Sequence, residues 1–141
     1  MKTAVLTGAS SGIGATVAAA LSEQGWQVVG LYNQTKPDSL QIMHEIDLSD
    51  LLATAKLGQS LTNELPHIDA FIHIAGVWHD DESVFADRRL ADFTADQIVA
   101  SMNVGVTSAM VLCNALLPRM ESGTIIGISG TFSDGAAGWS K

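Results

Sequence analysis

Short runs of apolar residues alternate along the chain with longer stretches in which apolar positions recur every three or four residues. The short runs end at glycine, proline or polar clusters and predict buried strands, whereas the longer stretches predict amphipathic helices. The predicted strands are 3–6, 27–32, 41–46, 68–74 and 124–129, and the predicted helices are 13–24, 51–65 and 94–117.

This alternation of strand and helix predicts right-handed crossovers and therefore a parallel sheet. The strands are almost wholly apolar, as a sheet covered on both faces requires. We therefore predict the α/β class, with a Rossmann-type doubly wound parallel sheet in a single domain over residues 1–141. Residues 130–141 predict a loop that leads to no further element, so we expect a fold truncated after its fifth strand.

The first predicted helix has a repeating apolar face. Ile13, Val17 and Leu21 recur every four residues, and alanines fill most of the positions between them. Gly25 follows as a stop signal. These three positions therefore share one face of the predicted helix.

Composition excludes several classes of protein. With 47% hydrophobic and 16% charged residues the chain is not disordered. A net charge of −8 argues against a nucleic-acid partner. The single cysteine, Cys113, excludes an internal disulfide, and its apolar neighbours predict a small buried side chain. We see no secretory signal and no stretch near about 20 apolar residues, so we expect a cytoplasmic protein without a membrane partner.

The acidic loop at residues 79–82, His-Asp-Asp-Glu, contains residue types that bind metals. Adjacent side chains on an irregular loop rarely converge on one ion, so we interpret it as a solvated loop and expect no metal site.

The most informative segment is Thr-Gly-Ala-Ser-Ser-Gly-Ile-Gly at residues 7–14, between the first strand and the first helix. Gly8 allows a sharp turn off the strand, Gly12 leaves no Cβ in the way of a diphosphate, and Gly14 allows close packing of the helix. The helix start presents free N–H groups and a partial positive charge to phosphates. Ser10, Ser11 and Ile13 complete the predicted phosphate-binding turn.

The glycine spacing differs from the usual dinucleotide fingerprint and resembles the cofactor loop of the short-chain dehydrogenase/reductase family. Other segments share the resemblance at corresponding places: Asp47-Leu48, His73-Ile74-Ala75-Gly76, Asn103 and Ser129. Together they span nearly the whole chain. The resemblance implies an oxidoreductase that transfers hydride between a nicotinamide cofactor and a small carbonyl or alcohol substrate.

The resemblance also implies cofactor contacts beyond the glycine turn. Asp47 and Leu48 correspond to the adenine contact, and Ala75 and Gly76 to the segment after the fourth strand. Asp47 has a second interpretation, because it and the following Ser-Asp pair at 49–50 precede a helix and are suited to capping it.

The segment at residues 73–76 departs from the family's Asn-Asn-Ala-Gly pattern. Ile74 stands where the family often has an asparagine whose hydrogen bonds tie the sheet together. At this position we expect the burial of the isoleucine side chain to replace those hydrogen bonds. His73 is able to offer a donor, although a packed histidine at the end of a strand is the interpretation we favour.

The catalytic residues implied by the resemblance are incomplete. Asn103 lies in a predicted helix interior, a position that asparagine disfavours. Ser129 corresponds to the family's catalytic serine, with Thr131 as a second choice, since Gly130 has no hydroxyl. The family's Tyr–Lys pair is absent from these 141 residues, which contain one tyrosine. The alternatives are therefore the cofactor-binding portion of a longer enzyme, inactive by itself, and a non-catalytic nucleotide-binding module.

The end of the second strand bears on the choice of nicotinamide cofactor. An acidic residue there would accept from the ribose 2′-hydroxyl and select NAD, but Tyr32 occupies the position. Asn33 and the three residues after it, Gln-Thr-Lys, are potential donors to a 2′-phosphate. We favour NADP over NAD.

The last predicted helix begins with a capping box in which Thr94 and Gln97 cap each other. It carries an apolar set that suits either core packing or the helix pairing by which full-length members of the family form oligomers, so we expect a homo-oligomer. The set comprises Ile98, Met102, Val106, Met110 and Leu117.

Overall fold

The structure is a computed structural model that describes residues 1–10, 12–36, 40, 42–85 and 88–129. The strands are β1 (Thr3–Thr7), β2 (Gln27–Tyr32), β3 (Ile42–Glu45), β4 (Ala70–His73) and β5 (Thr124–Gly127). The helices are α1 (Gly12–Glu23), α2 (Leu51–Glu64), α3 (Ala95–Met102) and α4 (Ser108–Leu116). A π-helical turn, Asn103–Thr107, joins α3 to α4, and short 3₁₀ helices span Leu90–Asp92 and Leu117–Arg119.

All five strands belong to one parallel sheet in the order β3-β2-β1-β4-β5. The chain moves outward from β1 to β3, crosses back to place β4 on the other side of β1, and continues to β5. The order therefore reverses between β1 and β4, which is where open α/β sheets bind ligands. This topology confirms the predicted α/β class and the Rossmann-type arrangement.

The inner strands of the sheet are covered on both faces, and β1 shows how. Its side chains alternate across the sheet, as the two-residue period of a strand dictates. Val5 packs toward α2 and α4, whereas Ala4 and Leu6 pack toward α1. All five residues of β1 are buried, so β1 forms the centre of the core.

The larger part of the core lies between the sheet and the α2–α4 pair. Phe71 of β4 is fully buried there, beside Leu61 of α2 and Leu112 of α4. Cys113 is half-buried against the same cluster, and burial raises the pKa of its thiol above its ordinary value. The predicted buried cysteine is thus only partly confirmed.

The apolar face of α1 is not its most buried face. Ile13 is 59% exposed, while Val17 and Leu21 are only partly buried. The fully buried positions are Gly14 and Ala18. The helix approaches the end of β1 so closely that its contact face is made by the smallest side chains.

The structure shows which residue caps the start of α2. The Asp50 carboxylate accepts hydrogen bonds from the N–H groups of Leu52 (3.1 Å) and Ala53 (2.9 Å), which the first turn of a helix leaves unpaired. Asp50 is therefore the cap, and Asp47 is not needed for it.

The long helix predicted for 94–117 begins with the expected capping box at Thr94, but the π-helical turn interrupts it. The whole segment Ala95–Arg119 is long and apolar enough to cross a membrane by length and composition. That finding corrects our expectation that no stretch approaches this length. Ser108, Leu112 and Leu116 are nevertheless buried, as in a helix that packs on a globular core.

Three strands are shorter than predicted. β4 spans Ala70–His73 instead of 68–74, because its pairing with β1 and with β5 covers only these four residues. β5 ends at Gly127 instead of 129, and β3 covers 42–45 of the predicted 41–46. All four residues of β5 are exposed, so within the described ranges this strand is an uncovered edge of the sheet.

Candidate functional site

A cleft of about 660 Å³ runs along the carboxyl edge of the sheet. Every strand contributes to it from the residues at or just beyond its end. The lining residues are Gly8, Ser10, Ile13, Leu31, Tyr32, Asn33, Ile46, Asp47, Leu48, Ile74, Ala75, Gly76, Val77, Trp78, Val104, Ile128 and Ser129. The cleft therefore lies over the point at which the strand order reverses.

The glycines of the turn have different structural roles. Gly8 has φ 69°, and a Cβ there would lie 3.0 Å from the backbone nitrogen of Ala75. Gly12 has φ 53°, and a Cβ would meet nothing within 4 Å. A Cβ on Gly14 would overlap the carbonyl oxygen of Gly8 and lie 2.7 Å from its carbonyl carbon. Gly14 thus allows α1 to pack on the turn itself, and Gly12 leaves the space in front of the helix start open.

Most of the site residues predicted from the sequence line this one cleft. Gly8, Ser10 and Ile13 come from the turn, and the others from the ends of β2 to β5: Tyr32, Asn33, Asp47, Leu48, Ala75, Gly76 and Ser129. Gly12 and Gly14 lie at the start of α1. Ser11 and Thr131 lie outside the described residues.

The predicted catalytic Asn103 is placed differently from Ser129. It opens the π-helical turn, and its Nδ2 donates to the backbone carbonyl of Ser49 at 3.2 Å. The neighbouring residue, Val104, lines the cleft. The structure thus anchors the Asn103 side chain to the loop before α2.

Asp47 organises that same loop. Its Oδ1 accepts from the backbone N–H (2.9 Å) and the hydroxyl (2.7 Å) of Ser49. Both bonds end on Oδ1, so Oδ2 takes no part in them. An exposed carboxylate oxygen at the rim of the cleft is suited to accept a hydrogen bond from a ligand.

A buried pair that local sequence does not reveal ties β1 to β4. The Thr7 Oγ1 lies 3.0 Å from Nδ1 of His73 and accepts from the N–H groups of Ile74 and Ala75, each at 3.1 Å. His73 is 5% exposed. The interpretation of His73 as a packed histidine is confirmed, and Ile74 is half-buried at the cleft wall, as expected for its apolar side chain.

Burial lowers the pKa of His73 below its ordinary value of 6.5, partly opposed by the backbone of Val104 and Gly105. The unfolded chain therefore binds the proton more readily than the folded chain. We expect the free energy of unfolding to fall as the pH drops below about 6.5, with a slope of up to one proton, until the folded-state pKa is reached. Denaturant unfolding across this range should show a smaller slope for His73→Phe. An unchanged slope would contradict the assignment, and His79→Phe, at an exposed histidine, is the control.

The segment after β4 is more ordered than the sequence predicts. The Asp80 carboxylate accepts from the N–H groups of Glu82 and Ser83 and from the side chain of Gln97 in α3. The hydrogen bond from Gln97 is the main reason that the pKa of Asp80 is lowered. In the same segment the backbone carbonyl of Trp78 accepts from the N–H of Phe85 at 2.9 Å, and Trp78 lines the cleft at 58% exposure. The sequence around Trp78 contains no motif that would have identified it as a site residue.

Comparison with known proteins agrees with this geometry. The short chain dehydrogenase family model matches residues 2–140. The chain therefore belongs to the short-chain dehydrogenase family, as its glycine turn and strand-end residues indicate.

Curated relatives include an uncharacterized oxidoreductase from Staphylococcus haemolyticus, 26% identical over 86% of this chain. Dehydrogenase/reductase SDR family member 6 from Rattus norvegicus is 31% identical over 94% of this chain. In both matches the chain spans 53% of the relative's length.

Among solved structures, a short chain dehydrogenase from Burkholderia cenocepacia in complex with NADP superposes with a TM-score of 0.80 at 25% identity. The match covers 97% of this chain and 59% of that one. A blue fluorescent protein from a metagenomic library has a TM-score of 0.82 at 23% identity, which supports the fold.

Proposed function

We propose that the protein binds a nicotinamide dinucleotide in the cleft and transfers hydride between it and a small carbonyl or alcohol substrate. The observation that carries the proposal is the open space in front of Gly12, at the start of α1 and beside the point where the strand order reverses. Free backbone N–H groups and the helix dipole at this place attract a diphosphate.

The residues present fit the cofactor along the length of the cleft. The diphosphate would lie on the Gly8–Gly14 turn, with Ser10 and Ser11 as hydroxyl donors. The adenine would lie between β2 and β3, beside Asp47 and Leu48. Ala75 and Gly76 lead from the diphosphate toward Ser129. When bound, the nicotinamide would supply the hydride, and this chain would orient it and exclude water.

We favour NADP because β2 ends in Tyr32, which carries no carboxylate to repel a 2′-phosphate or to hold a 2′-hydroxyl. Tyr32 and Asn33 both line the cleft. The relative from Burkholderia cenocepacia was solved with NADP, which is consistent with this preference.

Tyr32→Asp is expected to reverse the cofactor preference. The new carboxylate would repel a 2′-phosphate and accept from a 2′-hydroxyl, so the ratio of the Kd values for NADPH and NADH should rise by about tenfold to 100-fold. Fluorescence titration with both cofactors measures it. Tyr32→Asn is the uncharged control and should leave the ratio within a few-fold. Equal ratios of the two Kd values in Tyr32→Asp and Tyr32→Asn would count against placing the ribose 2′ group of the cofactor beside Tyr32.

At the reactive end we propose Ser129 as the group that orients the substrate oxygen and Asn103 as the residue that anchors the π-helical turn. The tyrosine of this chain, Tyr32, lines the cleft at the end of β2, where we place the adenosine. The proton-transferring tyrosine of the family is therefore not among the described residues. We infer that residues 1–141 by themselves bind the cofactor without completing the reaction.

The experiment that tests the activity is oxidation of NADPH by the intact protein, as its gene encodes it, with a panel of aldehydes and ketones. The proposed oxidoreductase activity is supported if the protein turns over a substrate and Ser129→Ala lowers the turnover rate by about 100-fold or more. Tight cofactor binding without turnover on any substrate would instead favour a non-catalytic nucleotide-binding module.

We also propose that the protein self-associates through the face of α3 and α4. The large apolar side chains on this face are exposed at 41–68%, and they outline a stripe along the helix: Ile98, Val99, Met102, Val106, Met110 and Leu117. A stripe of this kind on a globular protein marks an interaction surface.

Met110→Lys is expected to shift the intact protein to a smaller species in sedimentation velocity, because a desolvated charge would face the partner. Leu52→Lys is the matched control, since Leu52 is 78% exposed on α2 and lies outside the stripe. An oligomer unaffected by Met110→Lys would place the interface elsewhere. A wild-type monomer would refute self-association, and recovery in the membrane fraction would favour a lipid partner.

A further inference from the structure

The hydrogen bonds of Thr7 determine which nitrogen of His73 carries the proton. A hydroxyl has two acceptor lone pairs and one donor hydrogen. The Oγ1 of Thr7 accepts from the backbone N–H groups of Ile74 and Ala75, so both of its lone pairs are used. Its hydrogen must point to the third neighbour, Nδ1 of His73, at 3.0 Å. Nδ1 is therefore the acceptor, and the neutral ring carries its proton on Nε2.

This tautomer leaves a buried donor. Nε2 of His73 has no hydrogen-bond partner among the described residues, and the side chain is 95% buried. An unsatisfied buried N–H is costly, typically about 1–3 kcal/mol. Since β4 pairs with the central strand β1, this donor lies in the interior of the sheet.

Backbone acceptors lie near the ring. Hydrogen bonding to the backbone of Val104 and Gly105 partly opposes the lowering of the His73 pKa by burial. Both residues belong to the π-helical turn, Asn103–Thr107. A π-helical turn pairs its carbonyl groups i→i+5 and recurs at functional sites. A carbonyl oxygen has two lone pairs, so one that accepts a single helical bond is able to accept from an outside donor as well. The hydroxyl of Ser108 already bonds to the carbonyl of Val104 from within the helix.

We propose that His73 is a positioning residue that holds the π-helical turn at the carboxyl end of β4: its Nε2–H donates to one buried water, which in turn donates to the carbonyl groups of Val104 and Gly105. The turn carries Asn103 and places Val104 on the cleft wall. The consequence for catalysis rests on the proposed function, whereas the hydrogen bond itself does not.

The first test is the tautomer of His73 in the intact protein, read from the ¹⁵N–¹H correlations of its imidazole ring without any cofactor. The expected result is a protonated Nε2 coupled to an unprotonated Nδ1. A ring protonated on Nδ1 at neutral pH would overturn the proposal, because the donor would then face Thr7.

The second test is amide hydrogen exchange of residues 103–108 in His73→Phe, which keeps a ring but has no donor. Exchange in this segment should rise by about tenfold, the effect of losing one buried hydrogen bond, relative to residues 112–116 of the same helix. His73→Gln should restore protection, because its amide reaches about as far as Nε2. The control is His44→Phe, because His44 of β3 also has a buried Nε2 without a partner in the described part of the chain.

Unchanged exchange in His73→Phe, or equal loosening in His73→Gln and His44→Phe, would refute the positioning role. If His73→Phe does not fold, the tautomer measurement on the wild type still decides the outcome. Failure of cofactor binding would contradict the proposed function and leave these two measurements unaffected.

Discussion

Gly12→Asp is expected to weaken the binding of NADPH by at least about 100-fold, equivalent to about 2.7 kcal/mol. A side chain here enters the space in which the diphosphate would lie, and its carboxylate would repel the phosphates. Since a Cβ at Gly12 meets nothing within 4 Å, the fold should tolerate the change. Aspartate also adopts positive φ more readily than most residues, so the cost in stability should be about 1 kcal/mol. Fluorescence titration and denaturant unfolding measure the two effects separately.

The chain offers a matched control at the other end of the same helix. Gly25 also has a positive φ, 80°, and a Cβ there also meets nothing within 4 Å. Gly25→Asp should therefore lower stability by a similar amount and leave the Kd for NADPH within about twofold. If both variants weakened binding equally, the loss would reflect backbone strain and not the position of the diphosphate.

Gly14→Ala is expected to have the largest effect on stability, lowering the free energy of unfolding by about 3 kcal/mol. The added methyl group would overlap the carbonyl oxygen of Gly8, which is backbone and has no alternative rotamer. Either α1 moves away from the turn or the turn itself deforms. Chemical denaturation followed by circular dichroism measures the loss.

Gly105→Ala is the control for this prediction. It too is a helical glycine without a positive φ, but a Cβ there has open space around it. Alanine has the higher helix propensity, so stability should change by no more than about 1 kcal/mol, and toward a more stable fold. A Gly14→Ala variant as stable as Gly105→Ala would show that the turn and α1 are not in close contact.

The elements that local pattern predicts correctly are those whose signals are complete within a few residues. Thr94 and Gln97 form the predicted capping box, and Asp50 caps α2 through two neighbouring N–H groups. The buried strand β1 and the turn after it also follow from adjacent residues. The position of the cleft then follows from topology, since parallel strands bring their carboxyl ends to one edge.

The features that pattern misses depend on distant contacts or on the shape of the backbone. Apolar periodicity marks Ile13, Val17 and Leu21 as one face of α1, but it does not show that Gly14 packs on Gly8, which makes Gly14 and Ala18 the buried positions. The π-helical turn adds a residue to one helical turn without altering composition. The pairing of Thr7 with His73 joins residues 66 positions apart, which no local signal encodes.

The most direct test of the dinucleotide site is the response of individual backbone amides to NADPH in the intact protein, measured by ¹⁵N–¹H correlation spectra. If N–H groups at the start of α1 hold the diphosphate, the largest shifts should fall on residues 10–14, with smaller shifts at Asp47 and Ala75. Saturable binding that leaves residues 10–14 unperturbed, or no binding of NADPH or NADH at all, would contradict the claim that this turn holds the diphosphate.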